Sequence, residues 1–264
     1  MRTDLHIHTT ASDGAKTPSE IAEWARGKGL ELIAVTDHDT VAGIAEARRA
    51  AREAGIAFLP GIEISAHSNC EVHILGYNVD ETDADFAAAV AQLQSMRKRR
   101  NALIGDNLRA LGIELELDFG ADGLGRLHIA QALVKAGYAS EVQEAFDKYV
   151  GPKGSAYAET RRTSPFEAVK LITAFGGAAV IAHPKKFLHD KTLEMLINGL
   201  KPFGLKGLET YYPKHSKDEE KALCAIADKY GLIRTGGSDY HGDEDRNFVF
   251  NPSEKTLRAL KTIR

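Results

Sequence analysis

The stretch Leu32-Ile33-Ala34-Val35-Thr36-Asp37-His38-Asp39 is an apolar run that empties directly into three consecutive ionisable residues. A strand buried on both faces reads as a continuous apolar run, and polar side chains at its carboxyl end face the rim where parallel sheets build their sites. The same pattern recurs on either side of it. Thr3–Ile7, Ala57–Leu59, Glu71–Leu75, Ala178–Ile181, Gly207–Glu209 and Ile233–Thr235 are further candidate strands, making seven with Leu32–Val35. Helix starts stand between them: Thr17-Pro18-Ser19-Glu20, Ser164-Pro165-Phe166-Glu167 and Ser216-Lys217-Asp218-Glu219 each read as a capping box, two of them with proline at the first helical position. Gly29, Gly55, Gly176 and Gly231 follow amphipathic stretches and precede strands, as helix-closing glycines do. Alternation of this kind predicts an α/β fold around a parallel sheet, closed or open.

The alternation stops between about residues 80 and 162. Phe86, Val90, Leu93 and Met96 suggest a helix, more helical segments follow through Tyr149, and the region reads as an all-helical insertion. Its basic run Arg97-Lys98-Arg99-Arg100 reads as a solvated helix face rather than a phosphate site.

The bulk properties fit one large α/β domain, or one domain carrying an insertion: 264 residues, 43% hydrophobic and 27% charged. A formal net charge of -3 argues against general coating of nucleic acid, and no stable duplex binding is expected. Two cysteines, Cys70 and Cys224, give no disulfide framework. With no apolar run of the ~20 residues a bilayer crossing needs and no signal-like start, the expectation is a cytoplasmic protein without a membrane partner.

The chemistry lies in the histidines and carboxylates at the strand ends. His6 and His8, two apart on a strand, leave the same face. Asp13 follows in the next loop, His38 ends the second strand, and Glu63 follows the third within Gly61-Ile62-Glu63. His73 lies in Glu71-Val72-His73-Ile74-Leu75, His183 ends Val180-Ile181-Ala182-His183, and Asp239 and His241 stand in Gly237-Ser238-Asp239-Tyr240-His241. Any one of these could be a hydrogen-bonded loop residue. Six histidines and three carboxylates converging on one rim are better explained as a shared metal site.

Those motifs, His6-x-His8, Thr36-Asp37-His38-Asp39, Gly61-Ile62-Glu63, Ala182-His183-Pro184 and Ser238-Asp239-Tyr240-His241, resemble in content and order the motifs of the PHP (polymerase and histidinol phosphatase) family. The resemblance implies a distorted seven-stranded (β/α) barrel from residues 1–80 and 163–264, with 81–162 as a helical insertion capping the substrate. It implies two or three divalent metal ions, manganese, iron or zinc. His6, His8, Glu63 and Asp239 would hold the first, Glu63 would bridge to a second held by His73 and His183, and Asp13, His38 and His241 would hold a third. Some relatives carry a histidine where this chain has Asp13, and an oxygen donor there would either shift preference toward manganese or iron or weaken the third site. Asp37 and Asp39 are expected to orient imidazoles rather than to bind metal.

The insertion, with Gly125-Arg126-Leu127-His128 and Tyr149-Val150-Gly151-Pro152-Lys153-Gly154, and the segment Glu209–Ser216 are similar to stand-alone PHP phosphoesterases acting on nucleoside 3′,5′-bisphosphates, some of which also degrade short RNA from the 5′ end. Arg126, His128, Lys153 and His215 become candidate substrate contacts, each with a surface or capping role as the alternative. The expected reaction is metal-assisted hydrolysis of a phosphate ester, with Glu63, His183 and Asp239 as catalytic residues and the water activated between cations that Glu63 bridges. Hydrolysis of a cyclic phosphodiester or of histidinol phosphate on the same cluster stays open, as does a non-catalytic metal-binding module. The complete donor set argues against the last.

Overall fold

A computed structural model of the chain describes residues 1–186, 188–242 and 248–261. The strands are β1 (Thr3–Ile7), β2 (Leu32–Val35), β3 (Ala57–His67), β4 (Glu71–Tyr77), β5 (Ala178–Ile181), β6 (Leu205–Tyr211) and β7 (Ile233–Gly236). The helices are α1 (Pro18–Gly27), α2 (Ile44–Glu53), α3 (Ala84–Ala110), α4 (Arg126–Lys135), α5 (Val142–Ala145), α6 (Pro165–Ala174), α7 (Asp190–Leu200), α8 (Lys217–Lys229) and α9 (Glu254–Lys261). The chain divides into two compact units, one of residues 1–90 with 162–264 and one of residues 91–161.

The first unit holds one seven-stranded sheet in sequence order, β1 to β7, so the expected α/β class and strand count both stand. The chain past β7 returns to β1: Asp239 N–H donates to His6 O (2.9 Å) and His8 N–H to Tyr240 O (2.9 Å). These bonds draw the last rim segment against the first, and the sheet curls.

The sheet is not uniformly parallel. β4 runs antiparallel to both β3 and β5, which corrects the parallel sheet read from the alternation. The cause is the connection between β3 and β4. Only Ser68, Asn69 and Cys70 separate the two strands, and a parallel crossover needs about a dozen residues or more. β3 is also far longer than the apolar triplet Ala57–Leu59 suggested, running through Glu63 to His67. Glu63 therefore stands on the strand, not after it.

The helix signals hold in detail. Thr17, Ser164 and Ser216 each accept a backbone N–H from the third helical residue, whose glutamate reaches back to the cap. Gly29 and Gly231 turn the chain at φ +66° and +67°, a conformation that costs a residue with a Cβ ~1 kcal/mol or more, and Gly55 and Gly176 do likewise. α1 and α2 enclose a core of Ile7, Ile21, Ala25, Ile33, Val35, Ala47 and Ala51, with Trp24 stacked on Tyr240 at 4.4 Å. Burial of these side chains fixes β1 and β2 and hence the rim residues that follow them.

The second unit is helical, with its own core of Ile104, Leu108, Ile113, Leu124, Ile129 and Leu133. Here the basic run departs from expectation. Arg97 donates to the carbonyl of Leu124 (3.0 Å), Lys98 pairs with Asp122 (2.7 Å), and Arg100 is buried, donating to Asn101 Oδ1 (3.0 Å). Arg97 and Lys98 tie α3 to the loop at 122–124, while Arg99 stays exposed as expected.

Candidate metal centre

β1 and the residue that follows it place Asp4, His6 and His8 on one face, and all three are fully buried. Asp4 Oδ1 accepts the backbone N–H of Ser238 (2.9 Å) and of His6 (3.2 Å), so the deepest residue of the row locks β1 to the residue preceding Asp239. Across the β3–β4 hairpin Glu63 faces Leu75 and Ser65 faces His73, which makes Glu63 and His73 diagonal neighbours on one face. A short parallel bridge between His38 and Glu63 brings the end of β2 to the same place.

Glu63 is the hub. Its carboxylate lies 3.3 Å from His6 Nε2, 3.2 Å from His8 Nε2, 2.9 Å from His38 Nδ1, 2.9 Å from His73 Nδ1 and 3.0 Å from His183 Nε2. Asp239 Oδ1 lies 3.5 Å from His6 Nε2 and 3.2 Å from His8 Nε2. Asp13 Oδ1 lies 3.4 Å from His241 Nε2 and 3.8 Å from His8 Nδ1, with its Oδ2 3.9 Å from His38 Nε2. All nine donors named from the sequence therefore meet in one place. They fall into three groups: His8, Asp13, His38 and His241; His6, Glu63, His183 and Asp239; and His38, Glu63 and His73. The partition differs from the one the resemblance implies, since His8 joins Asp13, His38 and His241, His183 joins His6, Glu63 and Asp239, and His38 serves two groups.

The rim backbone is strained where it matters. Asp39, His183 and Asp239 have φ of +55°, +24° and +55°, a region that costs a non-glycine residue ~1–3 kcal/mol and persists only where surroundings enforce it. For His183 the enforcing group is Glu209, whose Oε2 accepts the His183 N–H at 2.7 Å. The other oxygen of Glu209 takes the Nδ1–H of His6 at 3.1 Å. That bond fixes the His6 tautomer and leaves its Nε2 lone pair directed at Glu63 and Asp239.

Removing so many charges from water has a visible consequence. Burial opposes a charge on Glu63, yet His38, His6 and His73 outweigh it and hold the carboxyl well below its ordinary range. Burial likewise opposes protonation of His8 and His73, but the facing carboxylates, Asp239 and Glu63 for the first and Glu63 and Glu71 for the second, raise them to about 10 and about 9. His183 goes the other way, since burial and the nearby Lys186 ammonium press it down to about 3 and keep the ring neutral. The carboxylates thus attract positive charge strongly. The buried His6 Nε2, His8 Nε2 and Glu63 Oε2 have no hydrogen-bond partner. Buried polar atoms left without partners are costly, and a cation held among them would satisfy them. The residues fit divalent metal, and a donor set of nitrogen and oxygen without sulfur suits manganese, iron or zinc.

The remaining candidates divide. Asp37 contradicts its expected role: its oxygens accept from Thr9 N–H, Thr9 Oγ1 and Ser12 Oγ at 2.6–2.7 Å, bracing the loop after β1 rather than an imidazole. Asp39 Oδ1 accepts from Ser65 N–H at 2.9 Å. His215 is buried and its Nδ1 meets the carbonyl of Thr210 at 3.2 Å. Arg126, His128 and Lys153 belong to the second unit. Arg126 opens α4, and His128 Nδ1 accepts the N–H of Gly125 at 3.1 Å, completing a cap with the histidine in the usual place of glutamate.

Sequence reasoning missed Glu209 as a site residue. The signal was available, because a carboxylate inside the apolar strand Gly207-Leu208-Glu209 must find partners or stay protonated. Glu209→Gln should weaken metal affinity by ~10- to 100-fold with the fold intact, as read by titration calorimetry with manganese and by circular dichroism. Unchanged affinity would remove Glu209 from the orienting role.

A rim of histidines and carboxylates around unpartnered buried polar atoms defines a hydrolase that works through divalent cations. The chain belongs to the PHP family, whose domain description matches residues 4–151, and it is a metal-dependent phosphoesterase. It is 37% identical over 244 residues to a 5′–3′ exoribonuclease of Haemophilus influenzae, covering 90% of this chain and 89% of that one. It is 36% identical over 247 residues to a 3′,5′-nucleoside bisphosphate phosphatase of Chromobacterium violaceum, covering 90% and 86%. It is 32% identical over 257 residues to a phosphoribosyl 1,2-cyclic phosphate 1,2-diphosphodiesterase of Eggerthella lenta, covering 92% and 95%. Among solved structures, an amidohydrolase of Chromobacterium violaceum with bound sulfate superposes with a TM-score of 0.91 at 32% identity, covering 100% of this chain and 97% of that one. No helix among the described residues is long and apolar enough to cross a membrane.

Proposed function

We propose that the protein removes the 3′-phosphate from nucleoside 3′,5′-bisphosphates and that short oligoribonucleotides are a second substrate class. The observation that carries the chemistry is the convergence of five imidazoles on the Glu63 carboxylate. The choice of substrate rests on the two relatives named for a bisphosphate phosphatase and an exoribonuclease.

In this reading the nine donors hold two or three divalent ions, manganese, iron or zinc. Held there, such ions lower the pKa of a water and neutralise oxygens of the scissile phosphate. Glu63, His183 and Asp239 are the residues nearest the reaction. Glu63, approached by imidazoles on both oxygens, would be a metal-holding residue and sets the spacing of the groups around it. His183, neutral at working pH, contributes a lone pair rather than a proton. Glu209 keeps His6 in the tautomer that exposes Nε2. Residues 81–162 cap the substrate, and Arg126 grips the second phosphate through its paired N–H groups, with His128, Lys153 and His215 as further contacts.

Arg126→Ala should then reduce kcat/KM for a nucleoside 3′,5′-bisphosphate by ~10- to 100-fold while p-nitrophenyl phosphate changes less than about threefold. Equal losses on both substrates would take Arg126 out of the gripping role. The similarity to the cyclic phosphate diesterase favours a second reading, cleavage of a cyclic phosphodiester on the same cluster. Parallel assays of the manganese-loaded protein on bisphosphates, cyclic phosphates and short oligonucleotides separate the two by relative kcat/KM.

A further inference from the structure

Asp239 uses its two oxygens differently. Oδ1 faces the Nε2 atoms of His6 and His8 at 3.5 and 3.2 Å, within the donor cluster. Oδ2 turns the other way, accepting the hydroxyl of Tyr212 at 3.1 Å and lying 3.6 Å from Nζ of Lys186. Tyr212 is buried, whereas the Lys186 side chain is 40% exposed. One partner of Oδ2 is therefore part of the wall and the other reaches in from the rim. Lys186 is brought there by the single turn of 3-10 helix Pro184–Lys186, which begins one residue after His183.

A lysine in this position has a use that a purely structural ion pair does not need. Its four-carbon stem lets the ammonium rotate among acceptors within a few ångströms, and as a compact point charge it suits a phosphate oxygen. Once Oδ1 and its neighbours carry a divalent ion, the negative charge on Asp239 is shared and its hold on Lys186 weakens. An incoming phosphate dianion then offers the stronger acceptor.

We propose that Lys186 is a substrate-binding residue, which leaves Asp239 Oδ2 to contact a non-bridging oxygen of the scissile phosphate. The proposal rests on the phosphoesterase reading and adds to it a cation from the barrel rim itself, independent of Arg126 and the helical unit. Tyr212 keeps Asp239 oriented when the ammonium leaves, so the carboxylate does not follow the substrate.

The test uses the full-length, manganese-loaded protein with inorganic phosphate as the probe, in wild type, Lys186→Ala and Lys186→Arg. Calorimetric phosphate affinity and inhibition of p-nitrophenyl phosphate hydrolysis are read beside metal content by mass spectrometry. The expected result is a ~10- to 100-fold weaker phosphate affinity in Lys186→Ala, equal metal content, and recovery of most of the affinity in Lys186→Arg. Unchanged phosphate affinity in Lys186→Ala would overturn the proposal, and so would loss of metal, which would make Lys186 a support for Asp239. Wild-type protein inert toward every phosphate ester would instead overturn the functional reading beneath it.

Discussion

Glu63→Gln is expected to lower turnover of phosphate esters by on the order of 10³-fold and to leave the metal content well below that of wild type even with manganese added back. The amide keeps the shape of the side chain and removes its charge, so the fold should persist. Five imidazole nitrogens approach the Glu63 carboxylate between 2.9 and 3.3 Å, and a carboxamide cannot accept from them on both sides. It also turns an N–H₂ toward groups that should present lone pairs to a cation. The effect belongs to the cluster as a unit, so a second substitution at His6 or Asp239 should add little to it. Near-normal turnover in Glu63→Gln would show that the hub is structural and that the chemistry lies elsewhere.

Gly237→Ala is the second large effect, and it acts through packing. A Cβ at position 237 would stand 2.1 Å from Cβ and 2.6 Å from the backbone nitrogen of His6. Neither neighbour can move away, since His6 is a fully buried β1 residue whose ring is held by Glu209. The chain must separate between β1 and the segment after β7, where Asp239 N–H meets His6 O. The expected cost is about 3 kcal/mol, which for a protein of this size lowers Tm by roughly 10 °C, together with loss of metal. Gly27→Ala is the control, because a Cβ there meets nothing within 4 Å and lies in α1. It should leave Tm unchanged or slightly raised. A Gly237→Ala protein that melts with wild type and binds metal normally would mean that the rim accommodates the methyl group, contrary to the packing described.

Much of this was legible in the sequence because it depends on local chemistry. The His6–His8 spacing needs only strand periodicity to place both rings on one side, and Thr17, Ser164 and Ser216 announce helices through bonds made within four residues. The apolar runs before His38 and His183 mark strand ends for the same reason. Features set by tertiary pairing were less visible. The reversal of β4 follows from a three-residue turn that the apolar pattern does not reveal, and the length of β3 was hidden by its polar alternation beyond Pro60.

Within the centre, residue types spoke louder than geometry. The nine donors could be named from their types and order, but which of them would group together could not. That depends on the diagonal pairing of Glu63 with His73 and on the reach of His38 toward two carboxylates. Asp37, adjacent to His38, resembled its partner and instead braces Thr9 and Ser12. Supporting residues were harder still: Tyr212 and Lys186 carry no spacing signal and matter because they share one oxygen of Asp239. Asp4 and Glu209, acidic residues inside apolar strands, carried a signal that the sequence reading did not use. Asp4 is pushed up to about 6 by burial, which would be a liability without the N–H groups it accepts.

The most direct measurement is anomalous diffraction from crystals of the wild-type chain grown with manganese, collected on either side of the manganese edge. Two or three anomalous peaks are expected within bonding distance of the cluster, one of them shared between Glu63 and the Nε2 atoms of His6 or His8. Crystals with no peak there, or with manganese bound only at surface carboxylates, would contradict this expectation.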